Sequence, residues 1–124
     1  MFVSIKGRPI TWLDAAIDRG DAAGALSAAL EMPRGTLSLD YALAVLVLMA
    51  EGDPDRFDRA SQRWVQRWID ERADPKAPGE QRRWSELLDG LPGLEAVTTL
   101  SSVCDHLGLQ RAGAALVHLY PHVR

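Results

Sequence analysis

The chain has 124 residues, 47% apolar and 25% charged, with a formal net charge of −3. That length fits a single domain with one core, and the apolar share argues against global disorder. The slight acidic surplus argues against a dedicated nucleic-acid binder, which usually carries a basic surplus, although it leaves room for a local basic stripe.

The opening segment, MFVSIKGRPI, lacks the long apolar stretch and small-residue cleavage site of a signal peptide. Residues 1–10 are expected to form an extended arm, since no second strand pattern exists to pair with them. The remaining chain, 11–124, reads as one helical domain. Thr11 is the expected cap of a first helix, with Asp14 in its first turn and Trp12, Leu13, Ala16 and Ile17 on its apolar side. Gly20 ends it, and Asp21 caps a second helix with Ala22, Ala25, Leu26, Ala29 and Leu30 inward. Pro33 and Gly35 stop that helix.

Ser38 caps a third helix whose run from Leu39 to Met49 is apolar on every side, so protein should surround it or one face should form an oligomer interface. The longest apolar run, 41–50, is too short to span a bilayer. A turn of about two residues then leads to the fourth helix, so the pair should form an αα-hairpin.

The segment 52–72, GDPDRFDRASQRWVQRWIDER, is the most distinctive part of the chain. Asp53 is placed to cap it, Pro54 occupies the first helical position, and Asp55 complements the helix dipole. At 100° per residue, Phe57, Ala60, Ser61, Trp64, Val65 and Trp68 share one arc. Arg56, Arg59, Arg63 and Arg67 form a narrow stripe beside it. Asp55 can reach Arg59, and Asp70 or Glu71 can reach Arg67. Arg63 has no opposite charge three or four residues away, so an answer must come from outside its helix. Two readings of the stripe follow: Arg stems snorkelling along the edge of a buried aromatic face, or a surface that contacts a partner or an anion. The residues assigned to such contact are Arg56, Arg59, Arg63, Trp64, Arg67 and Trp68. The aromatic arc is expected to seal the apolar third helix into the core, which leaves the arginine edge as the functional lead.

A Pro-rich loop, 73–79, precedes a short helix with Trp84, Leu87, Leu88 and Leu91 inward. Pro92-Gly93 breaks it. Leu94, Val97, Leu100, Val103, Cys104 and Leu107 form the stripe of the next helix, closed by Gly108. A final helix carries Ala112, Ala115, Leu116 and Leu119 and ends at Pro121. Gly20-Asp21, Gly52-Asp53 and Gly108-Leu109 repeat the same junction, and the expected fold is all-α: six to seven helices stacked as antiparallel hairpins, irregular and repeat-like.

The pattern Asp53-Pro54, Phe57, Arg59-Ala60, Arg63-Trp64 and Arg67 resembles a group of small all-α proteins of high-GC bacteria with a D-P-x-R-F-x-R-A-x-x-R-W helix. The resemblance covers residues 10–70 best and departs from the group at 73–84. It implies a helical fold and brings no activity. Two lysines against twelve arginines fit the same bacterial codon bias.

The one cysteine, Cys104, excludes an intrachain disulfide, and its apolar neighbours mark it as a small core residue. His118 and His122 are interrupted by Pro121, and Cys104 and His106 lie about 200° apart on a helix, so no metal site is expected. Neither a nucleophile elbow nor a phosphate loop is present. The expectation is a non-enzymatic, cofactor-free, soluble cytoplasmic module that binds a protein, either another chain or its own copy. Nucleic-acid or anion binding through the arginines is the alternative, and no membrane is involved.

Overall fold

The structure, a computed structural model, describes residues 9–33, 37–72 and 79–121. The arm over 1–8 and the loop over 73–78 lie outside the described residues. Seven helices lie among the described residues: α1 Pro9–Arg19, α2 Ala22–Leu30, α3 Leu39–Gly52, α4 Pro54–Glu71, α5 Glu80–Asp89, α6 Leu94–Leu107 and α7 Gln110–Leu119. No strand occurs among the described residues.

The local signals place most helix ends. Asp21 accepts a hydrogen bond from the Gly24 amide at 2.9 Å and Ser38 Oγ accepts one from Tyr41 N at 3.2 Å, so both caps are formed. Asp53 is shared by two helices. Its N–H donates to the Met49 carbonyl at the end of α3, and its side chain accepts from Arg56 N at the start of α4. The first helix departs from expectation. It starts at Pro9, so Pro9 and Ile10 belong to α1 and not to the arm, and Thr11 lies inside the helix instead of capping it. Proline at the first position has the required φ and no N–H left to satisfy.

The three glycine junctions are not equivalent. Gly20 (φ +69°) and Gly108 (φ +72°) are left-handed, which closes α1 and α6, whereas Gly52 is the last helical residue of α3.

Helix α3 is the axis of the fold. Leu39 and every residue from Leu43 to Ala50 is buried. Helices α1, α2, α4 and α7 all pack against it. A linear repeat stack would join each unit only to its chain neighbours. Here the last helix returns to the third, so the array of helices closes into a bundle. A polar cluster locks that closure. The Asp40 carboxylate, in the first turn of α3, accepts from the amides of Arg111 and Ala112 at 2.9 Å each. Helix α7 has no capping side chain of its own, so Asp40 serves as its N-cap from across the core. The Arg111 guanidinium, largely covered, donates to Asp18 at 3.0 Å, and its Nε lies 3.3 Å from Asp14. Tyr41 donates its hydroxyl to Asp14 at 2.9 Å. Burial tends to lower the Arg111 pKa, but its bond to Asp18 and the charge of Asp14 outweigh this and raise it.

Candidate partner-binding groove

The aromatic arc of α4 is part of the core. Phe57, Ser61, Trp64, Val65 and Trp68 are buried. Trp64 and Trp68 stack with ring centroids 5.4 Å apart, and Trp84 from α5 meets them at 4.8 Å and 4.9 Å. Each α4 indole N–H has a partner: Trp64 Nε1 donates to the Leu39 carbonyl at 2.9 Å and Trp68 Nε1 donates to Glu80 at 3.1 Å. Trp64 is 4% exposed and Trp68 5%. The contact role expected of these two rings depends on their being exposed, and neither is. Rings that are covered on their faces and hydrogen-bonded at their edges have little left to offer a partner.

The arginine stripe is outside. Arg56, Arg59 and Arg63 are exposed and Arg67 is half-buried. Arg56 pairs with Asp53 at 3.5 Å and Arg67 pairs with Glu71 at 2.6 Å. The expected Asp55–Arg59 pair is not made. Among the described residues neither Arg59 nor Arg63 has an ion-pair partner. Exposed pairs of this kind contribute about 0–1 kcal/mol, so the feature of interest is where the free guanidiniums sit.

They sit along an apolar groove of about 550 Å³ between α2, α3 and α4. Val45, Leu46 and Met49 of α3 form its floor; Leu26, Ala29 and Leu30 of α2 form one wall. The opposite wall is Ala60, the covered edge of Trp64, and all four arginines of the stripe. No described residue lining the groove is acidic. Leu30, expected to face inward, is instead 73% exposed at the lip. Helix α2 is short and its buried residues are Ala25 and Ala28, so the leucine at its end is left uncovered.

The groove thus joins five of the six assigned residues, Arg56, Arg59, Arg63 and Arg67 on its wall and the covered Trp64 beneath them. Trp68 faces a different cleft, of about 990 Å³, between α5 and α6. That cleft mixes Glu80, Glu86 and Glu95 with Arg83 and His106 and so presents no single charge. The sequence reading missed the apolar half of the groove. That half is set by how α2 approaches α3 and α4, which no pattern within one helix encodes.

Cys104 is 1% exposed, and burial pushes its thiol up to about 12. Among the described residues no group of three or more His, Cys, Asp or Glu is arranged to hold a metal ion. No described helix is long and apolar enough to cross a membrane. Comparisons with protein-family models, with curated proteins and with solved structures return no match to this chain.

Proposed function

We propose that this chain is a non-enzymatic protein–protein interaction module and that the α2–α3–α4 groove is its contact surface. The observation that carries this reading is the position of Arg59 and Arg63, free of ion-pair partners among the described residues, beside an apolar floor and the exposed Leu30. An apolar centre edged by arginine is the composition from which interface hot spots are built. The residue types most apt for nucleophilic or metal chemistry are placed elsewhere: Cys104 is held as a thiol inside the core.

The test is co-purification of the tagged chain from its native host, comparing the natural sequence with Leu30→Glu and with Arg59→Glu/Arg63→Glu. A stoichiometric protein held by the natural sequence and lost from both variants is the expected result. A partner retained by both variants, or no partner at all, overturns the reading.

One observation favours a second reading, in which the stripe binds nucleic acid or another polyanion. Arg59, Arg63 and Arg67 follow one another at about 6 Å along α4, a ladder of charge. Against it, Trp64 and Trp68 are buried and cannot stack on bases. If the reading holds, oligonucleotide affinity falls steeply with salt, and Arg63→Ala/Arg67→Ala lowers the slope. Absence of binding at low salt removes it.

A further inference from the structure

Resting on the groove as the contact surface, we infer that its occupant is an acidic amphipathic α-helix of about three turns, laid along α4. One wall carries Arg56, Arg59, Arg63 and Arg67, and no described lining residue opposes them. Two of the four have no partner in the chain among the described residues, so the complementary charge belongs to the ligand.

The arginines are spaced three, four and four residues apart, about 5–6 Å of rise per step, and the stripe spans about 16 Å. A second helix running beside α4 repeats its own side chains at the same pitch, so carboxylates at i, i+3/i+4 and i+7 meet successive guanidiniums. Its apolar positions then fall on Leu26, Ala29 and the exposed Leu30 of the facing wall.

The floor decides the backbone form. It is apolar, and the described fold offers no strand edge. An extended peptide laid there would leave its N–H and C=O groups without partners, whereas a helix satisfies its own. A single acyl chain would answer the floor but bring only one anionic head to several guanidiniums.

The experiment is selection from a displayed library of helix-forming peptides about four turns long, randomised on all faces, against the whole chain. A winning peptide is then synthesised and measured by fluorescence anisotropy and circular dichroism. Enriched sequences should carry apolar residues at i, i+3/i+4 and i+7 flanked by Asp or Glu. Binding should raise helix content, weaken with salt, and fall about tenfold or more in Arg59→Gln/Arg63→Gln and in Leu30→Glu. Circular dichroism of each free variant, matched to the natural chain, verifies that it has folded. Four outcomes overturn the inference: no enrichment, enrichment of basic or aperiodic sequences, binding indifferent to both variants, or displacement of the peptide by stoichiometric dodecanoate. If selection fails while the host partner still depends on Arg59 and Arg63, the contact surface stands and the helical occupant falls. If the host partner ignores them too, both fall.

Discussion

Asp40 and Ala112 are 72 positions apart, yet the carboxylate of the first accepts the amide of the second at 2.9 Å. One side chain thereby starts two helices: it sits in the first turn of α3, where negative charge suits the dipole, and it caps α7. Replacing it with alanine removes the only side-chain cap α7 has among the described residues and leaves two covered amides without a protein acceptor. Asp40→Ala should cost about 1–2 kcal/mol in urea denaturation. Asp40→Asn, which keeps an acceptor, should recover part of that. A cost below about 0.5 kcal/mol, the scatter of ordinary surface changes, would show that water replaces the cap fully.

The arginines facing the groove should behave differently from the rest of the molecule. Arg59→Ala and Arg63→Ala each remove an exposed side chain with no ion-pair partner among the described residues; the first relieves one i,i+4 repulsion and the second two, each of about 0.2–0.5 kcal/mol. Both variants should be as stable as the natural chain or slightly more so. A loss above about 1 kcal/mol in either would mean that the guanidinium serves the fold, and the assignment to binding would lose its support.

Gly20 provides a test of backbone against side-chain strain. Its φ is +69°, and a Cβ there would lie 2.5 Å from His118 Cδ2. His118 is exposed and its ring can swing aside; the left-handed backbone has no such escape. Gly20→Ala should therefore destabilise by about 1–2 kcal/mol, and adding His118→Ala should return only a few tenths. Full rescue by the second change would show that the clash dominates.

Alkaline pH should weaken the fold. Burial raises the Cys104 thiol from an ordinary value of 9.0 to about 12, and burial with the Glu51 hydrogen bond raises Tyr120 from 10.0 to about 12. Both groups hold their protons longer when folded. The unfolded chain then binds fewer protons above pH 9, so stability falls as pH rises towards 12 and is unaffected by these groups below 9. Urea midpoints across that range should fall, and Cys104→Ala should flatten the fall at its lower end. In the folded chain the thiol should also resist a disulfide reagent at pH 8 until denaturant is added. Prompt labelling would contradict its burial.

Much of this was written locally in the sequence. The caps at Asp21, Ser38 and Asp53, the burial of the α3 run and the inward arc of Phe57, Trp64 and Trp68 each depend on neighbours within one or two turns, so periodicity and cap chemistry reach them. The arginine stripe was legible for the same reason. What periodicity gives is the apolar face of a helix, not the neighbour that covers it. Leu30 and Leu94 continue their apolar stripes yet are exposed. The Arg111 cluster was illegible: Asp14, Asp18, Asp40 and Tyr41 are ordinary surface letters until the bundle closes and brings them together. The groove was half legible, since its charged wall lies on one helix and its apolar floor and far wall lie on two others.

The return of α7 to α3 has a consequence for the order of events during synthesis. Ribosomes deliver α3 long before α7, so the most apolar helix waits with one flank open while about 60 further residues are made at roughly 5–20 per second. For those seconds the exposed flank is a target for chaperones and for other nascent chains. The contact that covers that flank forms only once α7 has emerged, and Asp40 finding the α7 amides marks its formation.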